Sequence, residues 1–280
     1  MIVPLIRLTR PYYTLPLTAG LLVIAAYVTG GQLHRTTGPP AVALLALYGI
    51  LSAAYILNDV CDVHVDAVNR PRRMLPSGQV SLRIALAAAV VLLVAGLILA
   101  SICGRVFLAA LALLAVGLAA YDVYSKRLGM FKSPVVALLT TALYPLAFAF
   151  CEPVNTPRLN VVLWIHPPWL FLTTLGYEML KDTCDVSGDG LAGNTRWSAR
   201  CGSPGFLASA RAILLAASLL TLLPYALGYC NAVYLAAAIL AIGLVALSLC
   251  LRPMRSIPPV YASVVAITAG SLADLWACGP

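Results

Sequence analysis

Long apolar runs alternate along the chain with short polar connections. Nine runs stand out, at 13–30, 40–58, 80–101, 105–123, 133–151, 161–180, 206–228, 231–250 and 258–277. Each approaches the ~20 residues an α-helix needs to cross ~30 Å of hydrocarbon. The runs are rich in Ala and Leu and lack the period-two alternation of barrel strands, so they predict helices. The sixth is the least uniform, because "WIHPPW" sets His166, Pro167 and Pro168 inside it. Proline removes a backbone donor and bends a helix, so Tyr144-Pro145 and Pro224 predict further bends in the fifth and seventh runs.

Composition turns this pattern into a class. Hydrophobic residues make up 61% of the chain and charged residues 10%, with a mean hydropathy of +0.94. A soluble domain carries about a quarter charged residues. The expected fold is therefore an all-α integral membrane protein, a single domain over residues 1–280 with nine transmembrane helices. The eight cysteines are scattered and several lie inside apolar runs, which reads as small packing residues rather than a disulfide framework. The opening "MIVPLIRLTRPYY" does not have the layout of a secretory signal.

A net charge of +8 would suit nucleic acid, but its distribution points elsewhere. Of 18 Lys and Arg, 15 fall at the amino terminus or around the connections after runs 2, 4, 6 and 8. Arg35, Arg105 and Arg158 fall on the other side. Positive charge is retained on the cytoplasmic face, so the amino terminus is expected inside and the carboxyl terminus outside, in the cell membrane. No nucleic-acid partner is expected.

The scarce acids are concentrated. "NDVCDVHVD" (58–66) and "KDTCDVSGD" (181–189) hold six of the ten acidic residues. Asp59, Asp62 and Asp66 recur as Asp182, Asp185 and Asp189 at a constant offset of 123 residues. This predicts two four-helix pseudo-repeats, about 40–151 and 161–277, whose clusters face each other across a central cavity. The connections that follow the clusters, 67–79 and 190–205, would cap that cavity on the cytoplasmic side. On a helix, positions i, i+3 and i+7 fall within a ~60° arc, so each trio predicts one stripe. Carboxylates ~6 Å apart repel by ~2–3 kcal/mol per pair at an effective dielectric near 20, so six in one mouth call for cations or for protonation. Hard oxygen donors point to Mg²⁺ shared with a phosphate ligand. Lys and Arg on the same face suit an anion, and a hydrocarbon setting suits an apolar tail behind it. One such trio could equally be a solvated helix end, and many of the bases could simply touch lipid headgroups. Two trios at the same spacing are harder to dismiss.

"NDVCDVHVDAVNRPRRMLPSG" resembles the first aspartate-rich motif of the UbiA superfamily of intramembrane prenyltransferases, and "KDTCDVSGD" resembles the second. The resemblance covers essentially the whole chain. It implies helices around a central cavity, with Mg²⁺ holding a prenyl diphosphate between the motifs. Carried over by position, Asn58, Asp62 and Asp66 would serve one metal subsite, and Asp182, Asp185 and Asp189 the other. Asp62, Asp66, Asp185 and Asp189 would be the acids at the reacting centre. Asp59 is expected to point away, since adjacent helix positions diverge by ~100°. Arg70, Arg73 and Lys126 would hold the diphosphate. The family's Tyr and Lys after the fourth helix find counterparts in "YDVYSKR", where Tyr121 or Tyr124 could take the Tyr role. Tyr177 and Lys181 stand on one helix face and join the candidates. Met74, Tyr144, Phe148 and Phe150 could line a tail channel. The implied acceptor is lipophilic or amphipathic, either an ether-lipid glycerol phosphate or an aromatic or quinone precursor. An ion-coupled transporter and a terpene cyclase on the same scaffold are the alternatives.

Overall fold

The computed structural model describes residues 2–184 and 200–277, apart from the side chains of Ile2, Asn69 and Lys126. Nearly all of these residues are helical. Among the described residues, eight helical stretches are long and apolar enough to cross a membrane: Pro11–Val28, Pro40–Cys61, Leu82–Ile102, Arg105–Ser125, Gly129–Phe150, Pro204–Ala226, Ala232–Leu249 and Pro253–Ala277. The sixth predicted span, 161–180, is the exception. Its helix His166–Cys184 runs into Glu178, Lys181 and Asp182, too polar by the same measure. The chain is a multi-pass membrane protein. Its outward faces carry Leu113, Val116 and Val91, each at least 65% exposed, as lipid-facing surface requires.

The main elements are α1 (Ile2–Leu8), α2 (Pro11–Val28), α3 (Pro40–Cys61), α4 (Val63–Asn69), α5 (Leu82–Ile102) and α6 (Arg105–Leu128). They continue with α7 (Lys132–Thr141), α8 (Leu143–Phe150), α9 (Pro157–Asn160), α10 (His166–Cys184) and α11 (Pro204–Leu220), then α12 (Leu223–Ala226), α13 (Ala232–Leu249) and α14 (Pro253–Ala277). Local chemistry sets the starts. Ser81, Ser203 and Asn231 each accept a backbone N–H of the first turn through the side-chain oxygen. Pro11, Pro40, Pro157 and Pro204 stand at helix starts, where a missing N–H costs nothing.

The predicted bends appear as breaks. The fifth span divides at Ala142 into α7 and α8, which moves Pro145 into a first turn. The seventh divides before Pro224. Ahead of Pro167 and Pro168 the helix widens into a π turn over Val161–Ile165, where two carbonyls lose their usual donors.

α3 packs along α5, α10 along α11 and α7, and α13 along α14. Small residues permit the close crossings. A Cβ on Gly96 would stand 2.9 Å from the Ala46 carbonyl oxygen, and one on Gly176 would stand 2.6 Å from Leu214 Cγ. In lipid such close contact takes the place of the hydrophobic effect in holding helices together.

The two ends of the bundle are chemically distinct. At one end Thr37 N–H donates to the Phe150 carbonyl at 2.9 Å, Glu152 N–H to Arg35 at 2.9 Å, and Val154 N–H to Val28 at 2.8 Å. Here Arg158 Nε donates to Asp274 Oδ2 at 2.7 Å and Asn231 N–H to Asp274 Oδ1 at 2.6 Å. Asp274 is completely buried, and it ties α9, the start of α13 and the end of α14 together. Removing one member of a buried pair strands the other charge at a cost of about 3–5 kcal/mol. Asp274→Ala is expected to lower the melting temperature of the detergent-purified protein by several degrees, measured by intrinsic fluorescence. An unchanged melting temperature would remove this clamp from the fold's supports.

Candidate active site

At the other end α3 does not run on through the first acidic cluster as one rod. It stops at Cys61, and Asp62 (φ −99°, ψ 6°) is both its C-cap and the N-cap of α4. The expected single stripe is therefore divided, with Asp59 on α3, Asp62 at the corner and Asp66 on α4. The bend folds Asp66 and Asp59 onto one guanidinium. Arg73 Nη1 contacts Asp66 Oδ2 and lies 3.2 Å from Asp59 Oδ1. Burial raises the Asp66 pKa, and Arg73 only partly opposes that.

Asp59 was expected to point away; instead it is buried and central. Its Oδ1 also accepts from Arg10 Nη2. Arg10 precedes Pro11 in the left-handed region (φ 47°, ψ 58°), a conformation costing roughly 1–2 kcal/mol for a residue with a Cβ. Asp59 and the Tyr55 ring, 5.1 Å from the guanidinium carbon, hold it there. Burial disfavours the Arg10 charge, but Asp59 and the Tyr55 and Tyr12 hydroxyls together outweigh it and raise the guanidinium pKa. In the sequence Arg10 registers only as one more cytoplasmic base, with no local signal of this contact.

Behind this ion network lies a cavity of about 170 Å³. Its polar rim holds Arg10, Asn58, Asp122, Glu178 and Lys181, with the rings of Tyr13, Tyr55, Tyr121 and Tyr177 around them. Leu17, Leu51, Leu114, Leu118, Leu139 and Leu143 form its apolar walls. Leu17 and Leu143 also line a second, smaller hollow with Gly20, Tyr144, His166 and Trp169. Tyr13 and Tyr177 bridge α2 and α10 through their hydroxyls at 3.0 Å. Lys181 Nζ donates to Glu178 at 2.8 and 2.9 Å and sits 5.6 Å from the Tyr177 ring centre.

The sequence candidates separate on this geometry. Asn58, Lys181 and Tyr121 line the cavity, and Asn58 Nδ2 donates to Asp62 Oδ2 at 3.3 Å. Tyr124, one turn on from Tyr121, does not line the cavity: it is 53% exposed and lies beside Arg127, at the end of α6 beyond the packed part of the bundle. Asp182 is buried with both oxygens engaged by α7, accepting from Lys132 Nζ at 3.0 Å and Ser133 Oγ at 2.9 Å. Arg73 is committed to Asp59 and Asp66, and Arg70 is half-buried. Asp185, Asp189 and the Lys126 side chain lie outside the described residues. Of the proposed tail-channel residues, Tyr144 lines the second hollow. Phe150 packs on Phe107, Phe148 on the main core, and Met74 in a separate small core beneath α1.

Sequence reasoning passed over Asp122. It lies one position from Tyr121, is 5% exposed, and has one carboxylate oxygen buried with no hydrogen-bond partner. A charge so placed is costly without a cation. Among the described residues no three His, Cys, Asp or Glu side chains converge as a ready-made metal cage. Hard oxygens from Asn58, Asp62 and Asp122 nevertheless suit Mg²⁺, which keeps waters and shares its shell with substrate phosphate rather than needing an all-protein cage.

A helical membrane bundle that sets acids and bases above a greasy hollow belongs to the class of intramembrane sites for amphipathic, anion-headed ligands. Comparison with known proteins identifies it further: the chain belongs to the UbiA prenyltransferase family, which it matches over residues 14–273. It is 33% identical over 189 residues to digeranylgeranylglyceryl phosphate synthase of Methanoculleus marisnigri, covering 67% of this chain and 64% of that one. With the synthase of the same name from Sulfolobus acidocaldarius it shares 30% identity, over 82% and 84% of the two chains. The fold is that of a UbiA homologue from Archaeoglobus fulgidus bound to GPP and Mg²⁺, with a TM-score of 0.68 at 15% identity and 98% and 99% coverage.

The placement of the two tyrosines yields a direct check. Tyr121→Phe should lower the rate of prenyl transfer by roughly tenfold, the value of one charge-directed hydrogen bond, whereas Tyr124→Phe should stay within about twofold of the parent. The reverse order would show that the exposed ring is the one that matters.

Proposed function

We propose that this protein transfers a prenyl group from a prenyl diphosphate to the hydroxyl of a prenylated glycerol phosphate, at the cytoplasmic end of the bundle. The observation that carries the reading is the polarity of the cavity, with Arg10, Lys181, Asn58 and Asp122 at its rim and leucines behind. A diphosphate head matches the rim and an isoprenoid tail the walls. The relatives named digeranylgeranylglyceryl phosphate synthase support the glycerol phosphate acceptor over an aromatic one. The Mg²⁺ and GPP bound by the A. fulgidus homologue support the donor and the metal.

Asn58 and Asp62, with Asp66 beside them and Asp185 and Asp189 of the second motif, would hold Mg²⁺. Bound there, Mg²⁺ supplies the positive charge that a departing diphosphate needs. Arg10 and Lys181 add fixed cations at the rim, each positioned by an acid: Asp59 holds Arg10, and Glu178 holds Lys181. Arg70, Arg73 and Lys126 would add to these bases. Cleavage of the C1–O bond leaves allylic cation character on the prenyl group, which the faces of Tyr13, Tyr55, Tyr121 and Tyr177 stabilise; the acceptor oxygen then bonds to C1 and its proton passes to the released diphosphate. The leucine walls exclude water that would otherwise capture that cation. The acceptor's own phosphate suits the excess of bases on the cytoplasmic face.

The test uses purified protein in lipid nanodiscs with Mg²⁺ and geranylgeranyl diphosphate. Diphosphate release and an ether-linked product are expected with geranylgeranylglyceryl phosphate, and no transfer to 4-hydroxybenzoate. Transfer to the aromatic acid would overturn the acceptor, and a cyclic hydrocarbon formed without acceptor would overturn the reaction class. Asp62→Ala should cut turnover by roughly 100-fold or more, equivalent to several kcal/mol of barrier, with the melting temperature retained.

A further inference from the structure

We infer that Asp122, contributed by α6, is an additional divalent-cation ligand that extends the Asn58–Asp62 site inward to the cavity wall. The inference rests on the Mg²⁺-dependent reading above and adds a residue that neither aspartate motif contains.

The buried acids of this protein follow a rule. Asp59 meets Arg10 and Arg73, Asp66 meets Arg73, Asp182 meets Lys132, and Asp274 meets Arg158. Asp122 is buried to the same degree, yet its Oδ2 has no hydrogen-bond partner. Arg10, the nearby cation of the rim, directs its guanidinium to Asp59 instead. Asp122 is a cavity-lining residue, and the Asn58 amide lies against its carboxyl while also donating to Asp62. Three oxygen-bearing side chains from α3, the α3–α4 corner and α6 are thus contiguous through Asn58. An uncompensated carboxylate at a protein interior costs several kcal/mol, so a fold that keeps one at a substrate cavity keeps it for a ligand that brings positive charge. The donor set, all oxygen and partly amide, selects a hard cation over a soft one.

Mn²⁺ replaces Mg²⁺ as the probe because its free and bound forms separate by electron paramagnetic resonance. Wild-type protein with an unreactive prenyl thiolodiphosphate is expected to bind Mn²⁺. Asp122→Asn should weaken that binding by roughly tenfold or more, as loss of one ligand does, and should leave the metal-free melting temperature no lower than the parent's. Asp122→Cys should gain a cadmium–thiolate absorption band beyond that of the wild type. Unchanged Mn²⁺ affinity in Asp122→Asn, or no added cadmium band in Asp122→Cys, would overturn the assignment. A metal-free Asp122→Asn protein that melts lower or fails to fold would also overturn it, since neutralising a stranded charge cannot weaken a fold that does not use it. Wild-type protein that binds no Mn²⁺ would instead count against the Mg²⁺-dependent reading itself, so the two failures are distinguishable.

Discussion

The end of the bundle that carries the candidate site depends on one ionic arrangement: Asp59, buried, shared between Arg10 and Arg73. A lone carboxylate at that depth is costly, and so is an unpaired guanidinium. Together they join three segments that are far apart in sequence: the approach to α2, the last turn of α3, and the connection after α4. Arg73 then carries the network on to Asp66. Arg10 is held in a backbone conformation that a residue with a Cβ rarely adopts, and the ion pair is what offsets it. The cavity rim is built on this knot.

The same physics recurs around α10 with other partners. Asp182 anchors α10 to α7 through Lys132 and Ser133, Glu178 orients Lys181, and the Tyr13–Tyr177 hydroxyl pair closes the gap between α2 and α10. At the far end Asp274 performs the equivalent structural task with Arg158. Charge is rare in this chain, and where it is buried it is paired. Asp122 departs from that pattern inside the cavity, which makes it the residue most informative about the ligand.

This economy explains how a membrane bundle can hold a reactive polar site. Glycine crossings such as Gly49 on Gly96 bring backbones close without polar glue, leaving the acids and bases for the rim. The aromatic rings sit between the two regimes: their faces tolerate both a desolvated cation and an apolar tail.

Much of this was legible in one dimension because hydropathy acts locally. A run of about 20 apolar residues has no other comfortable place than lipid, so eight of the nine expected spans, their approximate ends and the bends at Pro145 and Pro224 followed from residue order, while 161–180 is too polar at its end to be counted with them. The duplicated aspartate spacing likewise marked the chemistry without any knowledge of packing. What residue order could not decide was direction and partnership. The break at Asp62 turned a presumed stripe into a corner that moves Asp66 onto α4, and the packing of α3 itself faces Asp59 inward. Tyr121 and Tyr124 share a helix face, yet the packed bundle covers the first and leaves the second exposed. Arg10, Lys132 and Asp122 looked like unremarkable residues until helices from distant parts of the chain met around them. Burial and pairing are properties of that meeting, because a charge's cost is set by what surrounds it in space, and only the tertiary structure supplies those surroundings.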